Sequence, residues 1–473
     1  MGTVQLVKTL EICRVTPLTD SANSAAEFSL PLTYFDTIWI KFFPIERVFF
    51  YQLAPHESTH SFFNSVVLPK LKHSLSLTLA HFLPVAGNII WPADKAKPSF
   101  LYAPNDGVSL IVAESKFDLN WLSQDGIQEA AGLHPYIPEL PVSESKGAII
   151  AFQITFFPSQ GFSIGMCMHH AMFDGKSVAL FMKSWAYMCK ENSNTTKKQI
   201  NSLPLELTPV FDRTILDDPL GLDMFYMKSW SSSSDPNPKS LKCPQVIRAT
   251  ENIVRSDFQL SRQDIMKLRR NIASQLDEKE KEDSKHKRLS TFLLSCTYII
   301  QSIVKAKKLE RKGKVGFMLA ADCRFRLNLP LPTNYFGNCV IGNLALIDNE
   351  TILDKNGIAS VVNQLSETIE GLETRMKNMS IEKENEFILK YKNIVAVADL
   401  MIGVAGSPRF EIYGTDFGWG KPKKTQVVSI DKNVSISMAE SRDGDGGLEI
   451  GLALKNNEME MFSSIFLDGL RNM

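Results

Sequence analysis

A histidine followed four positions later by an aspartate and then a glycine, His170-Ala171-Met172-Phe173-Asp174-Gly175, is the part of this chain best suited to moving a proton. Imidazole titrates near neutrality, so it can take a proton from a hydroxyl and give it back within one turnover. Such a base has to be held rigidly while its ring faces a cleft. The preceding residues supply a rigid support. Phe162, Ile164, Met166 and Met168 alternate with Ser163, Gly165, Cys167 and His169, the period of a strand running from Gly161 to His169. His170 then stands at the strand's end. From Asp174 onward the spacing is helical, with Val178, Phe181, Met182, Trp185 and Met188 on one apolar stripe and Asp174 placed to cap it. His169 shares its face with Ser163 and Cys167 and reads as a hydrogen-bonded structural residue. A bare His-x-x-x-Asp in a chain with eight histidines is weak evidence. The strand-to-helix junction gives it weight.

A second region combines glycines with an aromatic: Tyr413-Gly414-Thr415-Asp416-Phe417-Gly418-Trp419-Gly420-Lys421-Pro422-Lys423-Lys424. Glycines flanking an aromatic in an extended run mark a bulge or a close backbone approach, and on residue physics alone this is a structural turn pinned by Trp419. Ser290-Thr291 precedes the apolar segment Phe292 to Ile303. Either residue could cap that helix, and a free helix start there would also receive an anion.

The intervening elements place these regions. Leu68, Leu71, Leu75 and Leu79 form a helical stripe ending near Pro84 and Gly87. Ala148 to Phe157 is strand-like, and Pro158-Ser159-Gln160-Gly161 turns it into the strand that leads to His170. Val315 to Ala321 and Cys339 to Leu346 are further strands. Residues 191–242, with several prolines and a serine run, read as a long surface crossover. A chain of 473 residues exceeds what one core supports. The expected division is therefore 1–190, the crossover, and 243–473, with a ligand between the two halves.

Composition excludes several classes. Hydrophobic residues at 44% and charged residues at 22% describe a folded globular chain. Lysine plus arginine equals aspartate plus glutamate at 52, so no global field attracts a nucleic acid. The seven cysteines are dispersed and make no Cys-x-x-Cys pair, which argues against a zinc site or a disulfide framework and fits a reducing cytoplasm. No run is long enough to span a bilayer. Leu6 stands where myristoylation needs Ser or Thr, and Lys8 with Glu11 interrupts any signal-like core.

Together, His170 to Gly175 and Asp416 to Gly420, half a chain apart, resemble the paired signatures of the plant BAHD acyltransferases. Leu30-Pro31-Leu32-Thr33-Tyr34-Phe35-Asp36, Asp322-Cys323-Arg324 and Tyr335-Phe336-Gly337-Asn338-Cys339 extend the resemblance over the chain. The last is similar to the branch that acylates anthocyanins, flavonoids and other phenolic glucosides, often with malonyl-CoA. The resemblance implies an α/β fold of two chloramphenicol-acetyltransferase-like domains with a solvent channel between them, and a segment of about 414–437 crossing back to the first domain. It implies a monomer with no bound cofactor or metal and acyl-CoA as co-substrate.

Within that resemblance His170 and Asp416 are the catalytic candidates. Asp416 sits off the reaction centre in the family, acting through channel shape with Gly418, Trp419 and Gly420. Asp174 pairs with an arginine, here Arg324, and with Gly175 shapes the loop that presents His170. The chain's zero net charge leaves CoA phosphates to local groups, for which Ser290, Thr291, Gly406, Ser407 and the lysines at 421, 423 and 424 are candidates. A malonyl carboxylate needs a cation, and Arg326 is the candidate. The competing readings are a hydroxycinnamoyl-CoA donor, a CoA-binding module without catalysis, and a metal hydrolase using His169, His170 and Asp174. The last lacks a third ligand at a sensible spacing.

Overall fold

The computed structural model describes residues 7–18, 26–192, 202–230, 239–243, 252–276, 289–354 and 357–473. Two large sheets organise them. The first has six strands in the order Val7–Val15, Val108–Ser115, Ile150–Phe157, Gly161–Met168, Ile45–Gln52 and Lys424–Val427. The second has seven: Val340–Asp348, Lys314–Asp322, Leu400–Ala405, Ser435–Glu440, Leu448–Lys455, Ile253–Leu260 and Gln128–Glu129. A four-stranded sheet (Phe28–Pro31, Ser99–Tyr102, Asn88–Ile90, Lys146–Ala148) flanks the first.

The hairpin expected before His170 forms, with Gly161 opposite Phe157 and Met168 opposite Ile150. All sixteen of its strand residues are buried. These are central strands covered on both faces, which the apolar alternate positions allow and which Gln153 and Thr155 tolerate by bonding, whereas among the described residues the Ser163 hydroxyl is buried without a partner. Gln153, for example, donates to the Pro135 carbonyl at 2.8 Å. The Gly175–Glu191 helix packs Val178, Phe181, Met182 and Trp185 of its predicted stripe into the first core together with Leu71, Leu75 and Leu79 of the Leu68–His81 helix, and buries the stripe's Met188 as well. Each such side chain stabilises the fold by about 1.5–3 kcal/mol through burial. A second core lies under the Thr291–Ala306, Ile358–Lys377 and Asn456–Arg471 helices.

The two sheets exchange strands. Lys424–Val427 pairs with Ile45–Gln52 in the first sheet, within the segment expected to cross back. Gln128–Glu129, from the first half of the chain, pairs with Arg255 and Val254 in the second, an exchange the sequence reading lacks because a two-residue strand carries no periodicity. Part of the 191–242 crossover, residues 193–201 and 231–238, lies outside the described residues. The rest is more than surface connection: Leu222, Tyr226 and Met227 are buried, and so is Arg213.

Candidate functional site

The strand leading to the histidine pair ends at Met168, and His169 and His170 begin the turn into the Gly175–Glu191 helix. His169 is buried. Its backbone N–H donates to the Ile149 carbonyl at 2.9 Å, and its Nδ1 accepts from the Ala171 N–H at 3.2 Å. It fixes the turn. His170 is half-buried, and its ring lies flat on Trp39, centroids 4.4 Å apart and planes 9° apart, with Phe42 edge-on at 5.6 Å. Among the described residues Nδ1 is buried without a partner from another residue, which leaves Nε2 as the ring nitrogen not enclosed in this way. Burial pushes the imidazole down to about 4, against the weaker opposing influence of its own backbone carbonyl and the Asp174 carboxylate. At neutral pH it is an unprotonated base.

Asp174 caps the helix by accepting from the Ser177 N–H at 2.8 Å. Its carboxylate also meets Arg324 (2.8 Å) and the Cys339 N–H (3.1 Å). Burial would raise this carboxyl, but the Arg324 charge and these hydrogen bonds outweigh it and hold it below the usual carboxylate value. The ion pair expected between Asp174 and Arg324 is thus present, with both side chains fully enclosed. Its contacts are with the helix start and the Tyr335 to Cys339 segment. Arg324 also donates to the Tyr335 and Gly337 carbonyls and joins Asp322 at 3.0 Å.

Several positioning residues are not singled out by the sequence reading. Asn338 donates to the backbone carbonyls of His170 and Ala171, both at 2.8 Å, and so clamps the turn from the opposite half of the chain. Asp36, held in a capping box with Thr33, accepts from the Asn338 backbone at 3.1 Å and faces Arg213 at 3.7 Å; Arg213 in turn bonds the Tyr335 hydroxyl. Trp39 carries no motif. The signal for Asn338 and Asp36 lies inside the segments that carry the family resemblance.

A side chain at Gly175 would require the Phe410 ring to move. A Cβ there would stand 2.3 Å from the Phe410 ring, which packs the 3₁₀ turn Pro408–Phe410 against the helix start. Gly175→Ala should therefore destabilise the fold by about 1–3 kcal/mol and misplace the turn. Adding Phe410→Leu to make room should recover part of the melting temperature, whereas no recovery would show that the contact is not the cause.

Asp416 belongs to a different constellation. It pairs with Lys190 at 2.7 Å and accepts from the Gly418 and Gly420 N–H groups at 2.8 and 2.9 Å. Burial works to raise its carboxyl, and Lys190 and those N–H groups bring it below its ordinary value. Gly418 (φ +106°) and Gly420 (φ +93°) occupy backbone regions that other residues rarely adopt. Trp419 lies edge-on to Phe162 at 5.8 Å with Lys70 above its ring, and Phe417 is buried between Tyr51 and Trp185. None of these contacts is with His170.

The phosphate candidates divide. Ser290 is spent as the cap, accepting from the Leu293 N–H at 3.2 Å, and Thr291 is the first residue of that helix. Gly406 (φ +95°) approaches the Met438 carbonyl, and Ser407 caps Pro408–Phe410. Lys421 is exposed. Lys424 corrects the sequence expectation: it is fully buried among Asp125, Asp257 and Glu449 at 2.7–3.0 Å, so its charge is committed. Arg326 is exposed and bonds the Asp322 backbone carbonyl.

Among the described residues no helix is long and apolar enough to cross a membrane, and no group of three or more His, Cys, Asp or Glu side chains could hold a metal.

Comparison with known proteins agrees with this architecture over nearly all of the chain. The model of the "Transferase family" matches residues 7–468. Malonyl-CoA:anthocyanidin 5-O-glucoside-6''-O-malonyltransferase of Arabidopsis thaliana is 41% identical over 472 residues, covering 98% of each chain. Phenolic glucoside malonyltransferase 1 of the same plant is 38% identical over 476 residues, again covering 98% of each. The crystal structure of vinorine synthase superposes with a TM-score of 0.67 at 22% identity, covering 98% of both chains. With its two mixed sheets, its His170 turn and its Asp416 loop, the chain belongs to the BAHD branch of the transferase family, the CoA-dependent acyltransferases.

Proposed function

We propose that the protein transfers a malonyl group from malonyl-CoA to a sugar hydroxyl of a phenolic, flavonoid or anthocyanin glucoside, with His170 as general base. The observation that carries this is the neutral, half-exposed imidazole held on Trp39 and clamped by Asn338, in a chain 38–41% identical to malonyltransferases of such glucosides.

The chemistry follows from the side chains. The acceptor hydroxyl gives its proton to Nε2 of His170 as its oxygen attacks the thioester carbonyl. The tetrahedral intermediate then collapses: the new C–O bond stays, the C–S bond breaks, and the imidazolium returns the proton to the CoA thiolate. Both substrates must be present together, so the protein's main contribution is to align them. Asp174 takes no proton in this scheme, because Arg324 holds it ionised. We place the CoA phosphates against Lys421 and the backbone around Gly406 and Ser407, with Thr291 at its helix start, and assign the halves as two domains, 1–190 and 243–473. Seven free thiols suit a monomer working in the cytoplasm.

The test is a donor-by-acceptor matrix, read by product mass and by release of free CoA. Malonyl-CoA with a flavonoid glucoside should give a product heavier by one malonyl group and should outcompete acetyl-CoA and coumaroyl-CoA. Preference for coumaroyl-CoA would replace malonyl by an aromatic donor. CoA binding without turnover on any acceptor would remove the catalytic reading.

A further inference from the structure

We infer that Arg47 is the anchor for the free carboxylate of the donor's acyl group, the residue that separates a dicarboxylic acyl-CoA from an uncharged one. The inference rests on the malonyl-transfer reading above.

Arg47 is 7% exposed, and among the described residues no hydrogen bond or ion pair is made by its guanidinium; Nε is buried without a partner. Other buried cations of this molecule are differently placed. Arg324 holds Asp174, Arg213 faces Asp36, Lys432 meets Glu46 at 2.9 Å, and Lys424 touches three carboxylates. Arg255, itself not ion-paired, donates to the Val427 carbonyl. An enclosed charge without a partner is costly, and such groups are ordinarily paired or neutralised. Burial lowers the Arg47 pKa only to about 10, so the side chain stays cationic at neutral pH. Glu440, the carboxylate whose field reaches it, spends one oxygen on the Tyr413 N–H at 2.6 Å and is itself pushed up by burial. Among the described residues its second oxygen is buried without a hydrogen bond and makes no ion pair with Arg47 within 4 Å, so the guanidinium's own hydrogen bonds stay open.

The location fits the reaction. Arg47 lies on the Ile45–Gln52 strand, opposite Met166 on one side and Val427 on the other. Ile45, two residues earlier, pairs with Met168, from which the chain turns to His170; Trp39 and Phe42, which hold the ring, come just before the same strand. Two strand residues span about 7 Å, and Ile45 and Arg47 project from the same face of the strand. Arg47 also lines a cavity between the two sheets, with Thr425 and Val427 on one side and Ser437, Met438 and Ala439 on the other. Asp257 and Glu449 line it too, but each is bonded to Lys424. The cavity is about 20 Å³, the room of one water-sized group. On this assignment a carboxylate needs more room than that, which Met438, an adaptable thioether on the lining, would have to yield. The guanidinium fork offers it two parallel hydrogen bonds, which an acetyl or coumaroyl group has no means to use.

The experiment compares kcat/KM for malonyl-CoA and acetyl-CoA with one flavonoid glucoside in wild type, Arg47→Gln and Arg47→Lys, with thermal unfolding of each. Arg47→Gln should lower the malonyl-to-acetyl ratio roughly 30-fold or more. Arg47→Lys, which keeps the charge without the fork, should lower it less, and it carries the test if the glutamine variant does not fold. A folded variant of either kind with the wild-type ratio overturns the assignment. Wild type that transfers no malonyl group overturns the function proposed above and this assignment with it.

Discussion

His170→Ala should lower kcat by 10²–10⁴-fold while leaving the fold and the affinity for CoA in place. Among the described residues the imidazole makes no hydrogen bond to another side chain; it rests on Trp39 and Phe42, and its turn is held through backbone carbonyls by Asn338. Removing the ring removes the base and little of the scaffold. The pH profile gives an independent reading. Because burial holds the imidazole near 4, the acid limb of kcat/KM for wild type should lie well below pH 6.5, and activity should persist into mildly acid buffer. The sign for stability is opposite in effect. As pH falls below 6.5 an unfolded histidine takes up a proton that the folded one refuses until about 4, so the folded state loses stability across that window. His169, held down to about 4 by burial and by His170 beside it, adds to the same loss. His170→Ala should therefore unfold less steeply with acid, by up to about 3 kcal/mol. Near-normal turnover in the alanine variant would remove the general-base mechanism.

How much of this was legible in the sequence depends on the range of each signal. The hairpin, the helix after Asp174 and its cap are local patterns of side-chain period and turn chemistry, and they appear as read. The Asp174 to Arg324 pair spans 150 positions, and only the family resemblance joins them. Trp39 and Arg47 carry no local signal: an indole in an apolar stretch and an arginine in a strand look like core filler and a solvent-facing charge. Lys424 misled for the same reason. Beside Lys421 and Lys423 it reads as one of a basic surface run, yet the strand pairing with Phe50 turns it inward onto three carboxylates from distant segments. Which face a polar side chain adopts is set by the partners that tertiary structure brings, and those do not show in spacing.

Arg324→Met should be the most destabilising single change near the site, costing about 3–5 kcal/mol, because it leaves the fully buried Asp174 carboxylate with only the Ser177 and Cys339 N–H groups. It also takes one donor from the Gly337 carbonyl and one from that of Tyr335. The pH dependence separates this from simple loss of packing. In wild type Asp174 is held below its ordinary value, so its contribution is present above the unfolded carboxyl's pKa and is lost as pH falls. Without Arg324 the burial that now opposes ionisation prevails, the carboxyl is raised, and acid relieves the penalty. The stability gap between wild type and Arg324→Met should therefore narrow toward pH 4–5, measured by denaturant unfolding. Asp174→Asn keeps a good helix cap while removing the charge, so adding it to Arg324→Met should restore part of the loss at pH 7. On its own Asp174→Asn should reduce kcat far less than His170→Ala and, by removing a charge that weakly raises the imidazole, move the acid limb only slightly to lower pH. A loss as large as that of the alanine variant would make Asp174 a partner of the imidazole, instead of the cap and arginine-bound strut that its contacts describe.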